Sequence, residues 1–417
     1  MKQYRHRISL SRSYVCLLMV TTSVALPCAQ TLHAQDKSTS TRTLPKRVLG
    51  LDKVIACYGS YPELKSQTFA RGGDWKYWKS RGGVVSEGVI HQAFLRKSAD
   101  AASDFLATMD FGGNPNRVID IDELGWDFDG GIDRHSMAVL KATRKKRPDL
   151  KITVWQMRGP VAPQLAAVYR DTVELVMMET YFDLKDAWMI PFQLQAARLN
   201  GILDKSVVAL GLGKESKDQG GWAWTQTKEE LEQQIGLIRF VAPESPGVAF
   251  FGNWKLRENN CPLTDEQLDE VCGRFLAIAT DGSGLKPELL ELGKIFTKRY
   301  QKPAIFCSSK FLLPHFHSGH DGGPWGSQHQ PPTARVLMIN LGENGAKDVM
   351  VRLRTRAADG KVWAEGAADI PARSVVVASL PVLKGKSFSG WGGAGIMEVD
   401  APGCEVFNFK DSRFHRK

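Results

Sequence analysis

The chain has 417 residues, 43% apolar and 24% charged, an ordinary globular balance that excludes a collagen-like chain, a wholly disordered one and a small disulfide scaffold. The formal charge is +10, but Lys2, Arg5, Arg7 and Arg12 stand in the first 34 residues, where no acid occurs. Without that segment 51 basic residues face 45 acidic ones, too mild an excess to imply a nucleic-acid partner.

Residues 1–13 are basic and polar, 14–26 are an apolar run, and small residues surround Pro27. This is the pattern of a secretory signal peptide, here assigned to 1–34. The 13-residue run is too short to cross a bilayer, which takes about 20 residues, and no later stretch is longer. The sequence therefore predicts a secreted or periplasmic protein without a transmembrane segment, with a disordered mature N-terminus over 35–46. Cys57, Cys261, Cys272, Cys307 and Cys404 follow; an odd number without C-x-x-C spacing reads as free thiols rather than a disulfide framework.

From residue 50 short apolar runs alternate with segments of helical period. The runs cover 53–59, 84–91, 117–124, 151–156, 174–181, 206–213 and 247–254. Helices are expected over 98–109, 136–147, 163–171, 186–201, 228–240 and 264–280. Runs that are apolar throughout suit buried parallel strands, and the alternation implies right-handed crossovers. Seven or eight such units predict an α/β fold, a (β/α)7-8 TIM-type barrel over 47–302, with the eighth strand missing or hidden near 285–300. An open doubly wound sheet is the alternative, but no G-x-G-x-x-G follows the first run. A connecting segment over 303–333 is rich in Gly, Pro, His and Ser. Short strands then begin at 334, with Asn344-Gly345 and Asp359-Gly360 as hairpin turns, and predict a small antiparallel β-sandwich over 334–417.

In such a barrel the chemistry sits where strands end. In V-I-D-I-D-E-L, residues 118–124, Ile119 and Ile121 share one face while Asp120 and Asp122 share the other, toward the barrel axis, with Glu123 next. Crowded carboxylates drive one another's pKa values apart, so that an acid and a base coexist. The structural alternative is an acid bound to backbone or to an arginine. Glu179 and Tyr181 are in phase on a later strand end, and Glu87 with His91 ends the second strand. Trp126, Trp155, Trp188, Trp222, Trp224 and Trp254 fall near strand ends or in the following loops, where indole faces stack on sugar rings.

The order of these segments resembles the chitinase and endo-N-acetylglucosaminidase family of secreted TIM-barrel glycoside hydrolases. There a D-x-x-D-x-D-x-E strand precedes an M-x-Y-D-like strand end, and the last strand ends near a Trp. Here VIDIDEL, VMMETYFD and GVAFFGNW follow in that order over roughly 50–280. Asp120 and Asp122 match the two inner acids. The family's catalytic position, two residues on, is Leu124, and Glu123 stands one place early. The resemblance implies hydrolysis of an oligo- or polysaccharide by paired carboxylates; read from the residues, these are Glu123 as acid/base, or Asp122 in its place if the strand runs one residue differently, and Glu179 as its partner, with Asp120 and Asp122 tuning charge. Tyr181, Trp126, Trp155, Trp254 and Glu87 would bind substrate, without cofactor or metal.

Two other readings compete. A non-catalytic glycan-binding barrel needs the aromatic rim but not the acids. A metal-dependent hydrolase would use the loop holding His315, His317, His320, Asp321 and His329. Asp127, Asp129 and Asp133 resemble a calcium loop, but Ala138 occupies the last ligand position of an EF-hand.

Overall fold

Eight parallel strands close into a barrel in sequence order: β1 (Val54–Cys57), β2 (Phe69–Arg71), β3 (Val84–Ile90), β4 (Val118–Leu124), β5 (Lys151–Gln156), β6 (Leu175–Thr180), β7 (Ser206–Gly211) and β8 (Gly247–Phe251). This computed structural model describes residues 46–409 except 92, 94–96, 127, 129–130, 158, 181–183, 214–224, 226, 252–262, 314–332, 355–359 and 384–395. The signal-like segment and the His-rich loop lie outside the described residues, as do Tyr181, Trp222, Trp224, Trp254, Asp127, Asp129 and Cys261. Among the described residues, Cys272, Cys307 and Cys404 are free thiols. Among the described residues no helix is long and apolar enough to cross a membrane.

The strand that the sequence left unplaced is β2. It is three residues long, and no helix separates it from β1, so neither run length nor alternation marks it. The segment near 285–300 forms a helix instead. The helices are α1 (Trp75–Ser80), α2 (Ala99–Ala107), α3 (Gly131–Lys146), α4 (Pro163–Thr172), α5 (Met189–Leu199), α6 (Lys228–Val241), α7 (Asp265–Gly273) and α8 (Pro287–Thr297). Their starts obey capping chemistry: Ser98 accepts from Ala101 N, Thr227 from Glu230 N, and Thr264 with Gln267 completes a reciprocal capping box. The basic run at the end of α3 is engaged locally: Arg144 pairs with Glu174, Lys146 with Asp104 and Arg147 with Asp149.

Strand residues divide cleanly. Ile55, Ile119, Ile121, Ile152, Val154, Val176, Met178, Val208, Val248 and Phe250 face the helices in the outer core. Val54, Ala56, Phe69, Val84, Val118, Trp155, Leu175, Met177, Val207, Ala209 and Ala249 fill the barrel interior.

The second body starts earlier than expected. The connecting segment opens with a strand, β9 (Ala304–Leu313), followed by β10 (Thr333–Asn340), β11 (Ala346–Arg354), β12 (Val362–Ile370), β13 (Ser374–Pro381), β14 (Ile396–Asp400) and β15 (Glu405–Phe409). One sheet has the order β13-β10-β9-β15, the other β12-β11-β14. All pairs are antiparallel except β9 with β15, which is parallel. Asn344-Gly345 is not a hairpin turn, because β10 and β11 lie in different sheets. Asn340 stabilises that corner: its Oδ1 accepts from Ala304 N at 3.0 Å and Gly342 N at 2.8 Å, and its Nδ2 donates to Asn344 O at 2.9 Å.

Barrel and sandwich share an aromatic seam. Trp188 stacks on Phe409 at 4.9 Å, with Phe192, Phe296 and Phe306 behind, and Phe128 and Ala162 from barrel loops join the same cluster. Trp188, expected at the rim, is 6% exposed and belongs to this seam.

Candidate active site

The strand pairings fix which side chains share a level inside the barrel. Stepping across the pairs from Ala56 through β2 to β8 returns to β1 eight residues lower, the shear of a TIM barrel. With that shear, inward residues from alternate strands form layers. Arg71, Asp120, Met177 and Ala249 make one layer, and Tyr58, Gly88, Trp155 and Ala209 lie above it. The next layer, at the C-terminal mouth, contains Asp122, Glu179 and Phe251. Two carboxylates from β4 and β6 are thus neighbours in one layer, on strands about 10 Å apart.

The lower acid is fully engaged. Asp120 has no exposed surface. Thr153 Oγ1 donates to its Oδ1 at 2.6 Å, Trp155 Nε1 donates to its Oδ2 at 2.8 Å, and Arg71 Nε lies 3.5 Å from Oδ2. Burial pushes its carboxyl above the ordinary range, against the pull of Arg71, Thr153 and Trp155. Asp120 therefore cannot touch a substrate; it anchors Arg71. Trp155 is likewise fully buried, so it forms a floor and has no face free for a sugar ring.

Asp122 sits one layer higher. Arg71 Nη1 is 3.2 Å from its Oδ2, and the Tyr58 hydroxyl donates to the same oxygen. The guanidinium also lies over the Tyr58 ring at 4.2 Å. Burial, then the bond to Asp122, raises the Tyr58 phenol well above its usual value, so it stays a protonated donor. Gly88 makes the seat: a Cβ there would stand 2.4 Å from Arg71 Nε. Neither Tyr58 nor Arg71 stood out in the sequence, since each is an ordinary strand-end residue until the barrel closes. The arginine-bound alternative for the acidic strand therefore holds for Asp120 and, in part, for Asp122.

Glu123 is placed by a β-bulge. Ile121 pairs with Val154, but Leu124, not Glu123, pairs with Gln156, so β4 carries one extra residue. Glu123 takes the left-handed conformation, with φ 61°. Leu124 then falls back into the outer core beside Ile119 and Ile121. Two residues, Asp122 and Glu123, occupy the single inward step between Ile121 and Leu124. The mismatch at Leu124 is thereby explained: the extra residue shifts the phase and leaves Glu123 half-buried beside Asp122 at the mouth.

Glu179 is half-buried and in phase with the interior residues Leu175 and Met177; its carbonyl accepts from Gln193 Nε2 at 3.1 Å. Glu87 does not join the group. It shares phase with Val85 and Val89, pairs with the outward Ile119, and so lies on the helix side of β3. The inward residue there is Ile90, paired with Asp122 and 54% exposed, which marks the mouth as open on that side. Trp126 is half-buried just past the bulge, its backbone N–H bound by Asp133 Oδ1 at 2.9 Å. Among the described residues no group of three or more His, Cys, Asp or Glu could hold a metal ion.

A closed eight-stranded parallel barrel, with Asp122 and Glu179 in inward phase at the C-terminal ends of β4 and β6, defines the class of scaffold. No family model matches the chain, and no curated protein sequence matches it significantly. Solved structures with a similar arrangement include an endo-beta-N-acetylglucosaminidase from Cordyceps militaris, at 14% identity and TM-score 0.41 over 54% of this chain and 90% of that one. They also include a GH27 β-L-arabinopyranosidase from Geobacillus stearothermophilus, at 10% identity and TM-score 0.33 over 74% and 77% of the chains. A glycoside hydrolase family 5 protein from Bacteroides vulgatus matches at 12% identity and TM-score 0.30, over 78% and 72%.

Proposed function

We propose that the protein is an exported glycoside hydrolase acting on an oligo- or polysaccharide at the barrel mouth. The observation that supports this reading is the bulge in β4, which adds Glu123 directly after the inward Asp122 at the strand end, two strands from the inward-phased Glu179 of β6. Glu123 protonates the leaving glycosidic oxygen. Glu179 serves as nucleophile, or as base for a water, on the opposite face of the sugar. Asp122, held by Arg71 and Tyr58, contributes a fixed negative charge next to the oxocarbenium-like ring. Backbones about 10 Å apart, with side chains converging on the axis, leave room for one sugar ring between the two glutamates.

The test is turnover of a panel of aryl glycosides and natural glycans. Glu123→Gln and Glu179→Gln should each lower kcat by about 10²–10⁴-fold, while Glu87→Gln, on the helix side, stays near wild type. A wild-type protein that binds glycans and cleaves none would replace this reading with the binding barrel. Full turnover in both glutamine variants would remove these residues from the chemistry.

A further inference from the structure

β2 ends early, and the barrel wall has a notch there that the chemistry above leaves unused. Arg71, the last residue of β2, pairs with Ser86, whereas β3 runs on to Ile90 and beyond Ser86 pairs with β4 alone. After Arg71 the chain continues as Gly72-Gly73, which puts no side chain into the gap; a Cβ on Gly72 would meet nothing within 4 Å. On the opposite edge Gly88 is exposed, and so is Ile90. The Arg71 guanidinium lies against Gly88 at the base of this notch, and Asp122, paired with Ile90, stands behind it.

Both side chains have hydrogen-bonding capacity to spare. The ion pairs of Arg71 end on Asp120 Oδ2 and Asp122 Oδ2, and a guanidinium carries more N–H groups than two oxygens can take. Its Nη1 is buried without an aligned hydrogen bond among the described residues. Tyr58 donates to the same Asp122 Oδ2, so Oδ1 accepts no hydrogen bond among the described residues. The pair is also rigid: the guanidinium lies on the Tyr58 ring, which stands edge-on to Trp155 at 5.2 Å and to Phe251 at 5.0 Å. A fixed donor beside a fixed acceptor suits a group that both accepts and donates, as a sugar hydroxyl does. A carboxylate only accepts, and it would face Asp122 with Arg71 already shared between two acids. We propose that the notch is a subsite for a neutral glycosyl residue, whose hydroxyl accepts from Arg71 and donates to Asp122 Oδ1. The inference deepens the reading above and rests on it only for the entry of a glycan into the mouth; it does not need the roles given to Glu123 and Glu179.

The test is binding to an array of neutral oligosaccharides (cello-, manno-, xylo-, galacto- and malto-series) and of uronic-acid oligosaccharides (oligogalacturonides and oligomannuronates), with turnover of the bound chains followed in parallel. The wild-type protein should bind neutral chains and not the uronates. Arg71→Lys keeps a cation for Asp120 and Asp122 but loses the planar fork, so it should weaken binding of the same neutral chains by about 10–100-fold. A mere counter-ion role would leave that affinity unchanged. Ile90→Trp, a change at an exposed position that covers the notch without touching the ion pairs, should weaken binding with Tm unaltered, and it carries the test if the lysine variant does not fold. Uronates bound as well as neutral chains, no binding to the array, or wild-type affinity in the folded variants would each overturn the inference. Neutral chains that bind as expected but are not cleaved would remove the hydrolase reading and leave the subsite standing. Cleavage of neutral chains with KM unchanged in Arg71→Lys and Ile90→Trp would do the reverse.

Discussion

Arg71→Met is the most searching perturbation of the site's frame. The arginine faces two carboxylates, Asp120 at 3.5 Å and Asp122 at 3.2 Å, in a place where its own side chain is 11% exposed and theirs 0% and 12%. Methionine fills similar volume but leaves both acids without their cation. Removing one partner of a buried pair costs about 3–5 kcal/mol, and the residual exposure of Asp122 places this case near the lower end. The loss should shrink as pH falls, because a protonated carboxyl no longer needs a counter-charge. Arg71→Met combined with Asp120→Asn should recover about 1–2 kcal/mol, since one of the stranded charges is gone. Urea denaturation followed by tryptophan fluorescence at pH 7 and pH 4 measures all three quantities. A loss below about 1 kcal/mol at pH 7, or one independent of pH, would refute the picture of Arg71 as the shared counter-ion.

Two further outcomes follow from the same region. His91 takes up its proton near pH 3 when folded but near its ordinary value, about 6.5, when unfolded. The unfolded chain therefore binds the extra proton first, and stability present above pH 6.5 should fall by about 4–5 kcal/mol as pH drops toward 3. His91→Asn should be less stable at pH 7 yet flatter over that window; parallel stability–pH curves for the two proteins would count against a buried neutral imidazole. Gly125→Ala should cost about 3–4 kcal/mol, from left-handed strain plus displacement of a buried hydrogen-bonded amide. Its φ is 84°, and a Cβ would stand 1.6 Å from Gln156 Nε2, whose side chain accepts from Tyr169 at 2.8 Å. Gly82→Ala, at φ 76° with open space around it, is the control at about 1 kcal/mol, and equal melting shifts for the pair would refute the packing argument.

Much of the fold could be read before any coordinates, because buried parallel strands are written as apolar runs and their helices as amphipathic ones. β2 escaped because Phe69–Arg71 is too short to carry a pattern, and β9 because it adjoins a Gly- and His-rich stretch. The inward phase of Asp120, Asp122 and Glu179 followed from simple alternation. Alternation fails at Glu123, where one extra residue changes the phase, and only cross-strand pairing reveals an insertion of that kind. The indoles misled for a different reason. A tryptophan near a strand end is equally at home as a floor, like Trp155, or in a seam, like Trp188, and sequence position does not distinguish those sites from an open rim.

The aromatic seam also determines what can be taken apart. Phe128 follows the bulged strand by four residues, Ala162 closes the loop after β5, and Trp188 leads into α5, whose Gln193 holds the Glu179 carbonyl. All of these lean on Phe306, Phe407 and Phe409 of the sandwich or on residues in contact with them. The sandwich is thus a buttress for the same sector of the barrel that presents the candidate acids, and the two strands that supply those phenylalanines, β9 and β15, come from opposite ends of its sequence. Cutting the chain after the last barrel helix would not free a self-sufficient barrel; it would strip the backing from the β4–β6 side of the mouth and leave large aromatic faces in water.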